Sequence, residues 1–146
     1  MSFKNLLFIT YLCLPISYAS HVFAQDAIAG HWYIDDSTAK IEIYKGHDSR
    51  YYGKIDWLKR PCMNGKQKID IHNPDPCKRD RPFMGMVVLK GFIKITEGLY
   101  EKGTIYDPKT GTTYHCKMVL EGDTLYVRGF IGISLLGKST VWTKAD

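Results

Sequence analysis

The sequence predicts an all-β domain, an antiparallel barrel of about eight strands. Three observations carry that expectation. Short runs of β-branched and aromatic residues recur along the chain, divided by turn residues. The clearest run, 112–120, alternates: Tyr114, Cys116, Met118 and Leu120 share one face, and Thr113, His115 and Lys117 the other. No stretch sustains a capped, 3.6-residue apolar repeat, so little helix is expected. Antiparallel strands must hide their edges, and closing into a barrel does so. A two-sheet sandwich is the alternative architecture.

The elements follow in order. Gly30-His31-Trp32 opens a strand over 30–34, and further strands are expected over 39–44 and 51–58. Residues 59–83 break the pattern with Pro61, Asn64-Gly65, Pro74, Pro76 and Pro82, and read as one irregular connection. Connections this long in a compact domain are usually functional or disordered. A strand over 85–95 follows. The strand 103–106 runs into Asp107-Pro108-Lys109-Thr110-Gly111, a hairpin turn leading to 112–120. Glu121-Gly122-Asp123 turns into 124–130, completing a meander. The glycines of Gly132-Ile133-Ser134-Leu135-Leu136-Gly137 mark a bend before the last strand, 138–144. Their spacing lacks the Gly-x-Ser-x-Gly elbow and its strand–turn–helix context, so Ser134 is not assigned as a nucleophile.

The N-terminus explains what precedes these strands. Lys4 is a minimal basic segment, residues 6–14 are apolar but short, and Val22-Phe23-Ala24 offers a cleavage site. Residues 1–24 therefore read as a signal peptide, and residues 25–146 as a single domain, periplasmic or secreted. The apolar run falls well short of the ~20 residues that span a bilayer, and no later segment is longer, so no transmembrane segment is expected after cleavage. Loss of Lys4 lowers the formal charge of +5 to +4. The basic residues are scattered rather than striped among aromatics, which argues against nucleic acid as a partner. In an oxidising compartment Cys62 and Cys77, which bracket the proline-rich connection, are the natural disulfide pair. Cys116 reads as a buried thiol.

The candidate sites are few. A barrel of this strand number has an interior either filled by side chains or able to hold one small ligand. Trp57, Tyr106, Tyr114, Met118 and Arg128 are the expected interior contacts, an apolar surface with a few polar handles. In the connection, Asp70, Asn73, Asp75, Arg79, Asp80 and Arg81 form the densest polar group. They suit an ion-paired rim that binds a ligand head group, or a contact for an envelope protein through Arg79 and Arg81. Asp70, Asp75 and Asp80 show no spacing that selects a hydrolytic pair, so an enzyme is not expected. No histidine pair has metal-ligand spacing, and neither metal nor cofactor is expected.

Gly30-x-Trp32 resembles the start of lipocalin-type barrels, in which the Trp plugs the closed end and a cation from the last strand covers its ring. Lys144 or Arg128 is the candidate cation. The longer series Tyr52-Gly53-Lys54-Ile55, Asn73-Pro74-Asp75-Pro76, Arg79-Asp80-Arg81-Pro82 with Gly85, Gly103-Thr104-Ile105-Tyr106-Asp107-Pro108, Gly111-Thr112-Thr113-Tyr114, Val127-Arg128-Gly129 and Trp142-Thr143-Lys144 resembles the bacterial DUF2147 family. That family often ends Trp-Thr-Arg, where this chain has Lys144. The resemblance implies a lipocalin-like barrel in the cell envelope and transfers no catalytic residue. Together these readings lead to an exported, lipocalin-like protein binding a small, mainly apolar molecule. The alternative is an interaction or inhibitor module acting through 59–83.

Overall fold

A computed structural model describes residues 26–34, 37–133 and 135–145. The expected signal peptide and Ser134 lie outside the described residues. Eight strands close into an antiparallel barrel, which excludes the sandwich. They are β1 (Gly30–Tyr33), β2 (Ala39–Lys45), β3 (Tyr51–Leu58), β6 (Val87–Thr96), β7 (Leu99–Asp107), β8 (Thr112–Glu121), β9 (Thr124–Phe130) and β10 (Gly137–Lys144). Consecutive barrel strands are neighbours, and β1 closes the ring against β10 through Trp32↔Lys144 and Tyr33↔Thr143.

Two features depart from the sequence expectation. The connection 59–83 carries a small hairpin of its own, β4 (Cys62–Met63) and β5 (Lys66–Gln67). Asn64 and Gly65 turn it, both at positive φ (52° and 74°), as a tight hairpin requires. Strand β7 also begins earlier than expected. Its register shifts between Tyr100 and Gly103, with Lys102 at φ 62°, and this bulge hides the alternation of its first half.

The barrel has a packed end and an open end. Short turns join β2–β3, β6–β7 and β8–β9 at the first, and the long connections gather at the second. Trp32, Tyr51, Phe92, Tyr100, Met118 and Leu125 fill the closed end and are almost fully buried. Phe92 lies against Gly103, where an added Cβ would stand 2.4 Å from its ring. The glycine is the recess that admits the ring.

The segment before β1 completes the floor. Ile28 is buried, and its carbonyl accepts a 2.8 Å hydrogen bond from the Trp32 indole. Asp26 is held by the Tyr51 hydroxyl and, at 3.1 Å, by the Lys45 ammonium; the Tyr51 bond is the larger cause of its lowered pKa. Lys144 Nζ lies 5.8 Å from the Trp32 ring centroid. Arg128 does not reach that ring; it projects outside the barrel.

Candidate functional site

Above this floor the side chains no longer fill the interior. A cavity of about 950 Å3 occupies the open end. Its wall is built mainly from the open-end halves of the strands, Ile41 of β2, Ile55 and Leu58 of β3, Val88 of β6, Ile105 of β7 and Val127 of β9, with Trp142 of β10 at its base. Phe83 caps one side from the connection. The polar groups are sparse: Thr38, Tyr106, Asp107, Tyr114 and Thr140 in the wall, with Lys109 and Lys138 also lining it. Trp142 donates its indole N–H to Thr140 Oγ1 at 3.0 Å, so the ring is fixed by its own strand. Gly129 opens space directly: an added Cβ would make ordinary contacts with Ile105 and Tyr114 at 3.4 and 3.5 Å, and anything longer would enter the cavity.

A buried polar knot ties the connection to the barrel beside this opening. Asp70 is fully buried. Its carboxylate accepts 2.6 Å hydrogen bonds from the Tyr106 hydroxyl and the Asn73 amide, and Arg81 stands 3.6 Å away. Asn73 is also buried, and its side chain accepts from the Asp75 N–H at 2.9 Å. Arg79 Nε donates to the Asn73 carbonyl, and Asp75 receives the Cys77 N–H and pairs with Lys78. A buried carboxylate needs this degree of satisfaction, because an unpaired one costs far more than it returns. The connection is thereby an ordered flap rather than a loose loop. Gly111 lies against the His72 carbonyl, so the flap also rests on the β7–β8 turn.

This knot makes a pH prediction. Burial first, and then the bond to Asp70, push the Tyr106 hydroxyl up to about 12. The phenol in an unfolded chain ionises near 10. Stability contributed by neutral Tyr106 is therefore complete below about pH 10 and lost as pH rises to about 12. Melting curves across that window should fall more steeply for the wild type than for Tyr106→Phe. Equal slopes would show that Tyr106 carries none of the alkaline loss.

The expected site residues divide. Tyr106 and Tyr114 line the cavity. Met118 faces inward but lies deeper, in the packed floor, and is not among the cavity-lining residues. Arg128 points outward, donating to Ser139 Oγ at 2.8 Å and to the Leu135 carbonyl at 3.2 Å. Trp57 is also outside and 38 % exposed. The β2–β3 register explains why. Lys40 pairs with Trp57 but Ile41 with Ile55, so Asp56 is an extra residue that turns Trp57 away from the lumen. There it meets Tyr33 edge-on at 6.2 Å, with Lys40 close to both rings. Asp75, Arg79 and Asp80 stay on the flap, and none of them lines the cavity.

The cysteine expectation is corrected. Cys62 and Cys77 are separate, exposed thiols, one on the small hairpin and the other in the 3-10 turn Pro76–Lys78. Cys116 is buried, and desolvation pushes its pKa up to about 12. A thiol reagent should modify Cys62 and Cys77 without denaturant and Cys116 only after unfolding. Modification of Cys116 in the native protein would contradict the packed floor.

Several lining residues escaped the sequence reading: Ile34, Leu58, Phe83, Val88, Val127, Lys109, Lys138 and Gly129. The available signal was parity, the inward positions nearest the long connections on each strand. Among the described residues, no group of three His, Cys, Asp or Glu side chains could hold a metal, and no helix is long and apolar enough to cross a membrane.

Comparisons with known proteins agree with this architecture. No curated protein matches the chain. A solved structure, protein HP1028 from the human pathogen Helicobacter pylori, described as belonging to the lipocalin family, superposes with a TM-score of 0.70. It is 22 % identical, and the match covers 81 % of this chain and 82 % of that one. At that identity the likeness establishes a lipocalin-like fold. The family model described as "Uncharacterized protein conserved in bacteria (DUF2147)" matches residues 30–144, and the chain belongs to that family.

Proposed function

We propose that this protein is an exported carrier that holds a small, mainly apolar molecule in its barrel. One observation supports the reading above the others: the open end keeps a cavity of about 950 Å3 with a largely aliphatic and aromatic wall, while the closed end is densely packed. Ligand sites in proteins are typically ~300–1,000 Å3, apolar, with a few fixed polar groups. Thr140, Tyr114 and Lys138 are the handles this wall offers. The chemistry is binding without turnover.

Native mass spectrometry on protein purified from its own cell envelope tests the reading. A co-purified small molecule, displaced by an apolar fluorescent probe, is the expected result. A bare chain that also takes up no probe would refute it. Export has its own check: the purified protein should begin at Gln25 and fractionate outside the cytoplasm, and an intact Met1 would contradict cleavage.

A second reading, contact with an envelope protein through the flap, draws on a groove of about 600 Å3 on the outer wall. There Arg81 and Pro82 face Tyr44, Tyr52 and Lys90. Capture of a partner that is unaffected by substituting Arg79 and Arg81 would count against it.

A further inference from the structure

The connection between β9 and β10 breaks the ordinary rule for surface loops. Ile131, Ile133, Leu135 and Leu136 are 64, 61, 84 and 73 % exposed. Four large apolar side chains on one short loop form an unburied cluster, not the scattered exposure common on soluble proteins. The backbone beneath them is held. Leu136 N–H donates to the Ile133 carbonyl, and Arg128 reaches from β9 to the Leu135 carbonyl and to Ser139. The arrangement keeps the side chains presented outward.

Two observations say what would cover them. The first is position. Ile131 and Leu136 belong both to this exposed tip and to the cavity lining, so apolar surface runs without a break from the outside of the loop into the barrel. The second is charge. The segments at the open end, 34–38, 59–86, 107–111 and 131–138, contain nine Lys and Arg against six Asp, and one of those six, Asp70, is buried beside Arg81. The closed-end segments 45–50, 94–98 and 121–123 contain three basic residues against four acidic ones. The positive excess therefore lies at the same end of the barrel as the apolar tip.

We propose that the open end docks on an anionic phospholipid bilayer. The 131–136 loop enters the headgroup region, and Lys109, Lys138 and the basic residues of the flap face the lipid phosphates. Apolar insertion combined with basic attraction is the usual pairing for a reversible surface contact. The charge component acts within a Debye length, about 8 Å at physiological salt, so it operates only when the mouth is turned to the membrane. The proposal deepens the carrier reading in one respect: an apolar cargo would pass between bilayer and cavity without crossing water.

Vesicle co-sedimentation tests it, using phosphatidylglycerol–phosphatidylcholine vesicles beside pure phosphatidylcholine. The wild type should pellet with the anionic vesicles, and salt should weaken the binding. Ile133→Asp with Leu135→Asp should lower partitioning at least tenfold. Neither residue lines the cavity, so uptake of an apolar probe should be unchanged in that variant. Lys109→Glu with Lys138→Glu should erase the preference for anionic lipid. A wild type that stays in the supernatant overturns the proposal, as does a double-Asp variant that pellets equally well. A wild-type dimer that this variant converts to monomer, with no vesicle binding, would reassign the loop to self-association. Probe uptake without vesicle binding would leave the carrier reading standing and remove only the docking.

Discussion

Replacing Trp32 with Ala should destabilise the protein by about 3–5 kcal/mol, the range for emptying a large aromatic site in a packed core. Trp32 is fully buried, and its indole N–H satisfies the Ile28 carbonyl at 2.8 Å. The substitution removes the ring and strands that buried acceptor together. The segment 26–29 is then held mainly by Asp26 with Lys45 and Tyr51. A domain of this size typically has a net stability of only ~5–15 kcal/mol, so the loss is a large share of the whole. Urea unfolding should show it as a lower midpoint. Lys144→Ala probes the same ring from the other side and should cost below about 1 kcal/mol, because a partly exposed cation over an aromatic face contributes little more. Comparable losses from the two substitutions would mean that the cation, and not the packed ring, holds the closed end.

Enlarging Gly129 should remove ligand binding while leaving the barrel intact. The position faces the lumen between Ile105 and Tyr114 and has room for one carbon in ordinary contact. Gly129→Ala should bind an apolar probe nearly as well as the wild type. It should also gain roughly 0.5–1 kcal/mol of stability, since glycine in a strand interior loses the most chain entropy on folding. Gly129→Phe must send its ring into the cavity, and probe affinity should fall at least tenfold, the equivalent of about 1.4 kcal/mol. Paired titrations and melting curves on the two variants separate occlusion from misfolding. Full probe affinity in a folded Gly129→Phe protein would place the ligand elsewhere.

Much of the architecture was legible because strand alternation is a strong local signal. Eight expected strands became eight barrel strands, with Tyr114, Cys116 and Met118 on the inward face of β8. Parity also contained the answer for Arg128, since Leu125 and Val127 mark the inward face of β9 and leave Arg128 on the other. Depth is not a question of parity. Met118 faces inward, but only the distribution of short turns and long connections shows that it lies in the floor and Tyr114 in the cavity. The Asp70 knot was beyond local reading for a different reason. One of its two closest partners, Tyr106, is 36 residues away, and nothing in a run of Asp, Arg and Pro marks one carboxylate as fully buried. The apolar tip at 131–136 was visible as composition, but its exposure depends on the turn that Arg128 braces.

The Asp56 bulge has a consequence for how much this barrel can hold. Were Asp56 paired in regular alternation instead of bulging, β3 would carry Trp57 into the lumen beside Ile55, in the open half where the cavity now lies. A large indole would then occupy the cavity. Capacity here depends on one bulged residue as well as on the sizes of the lining side chains. A relative in which this strand ran without the bulge could keep the same composition and the same strand order and still be a solid barrel with nothing to carry.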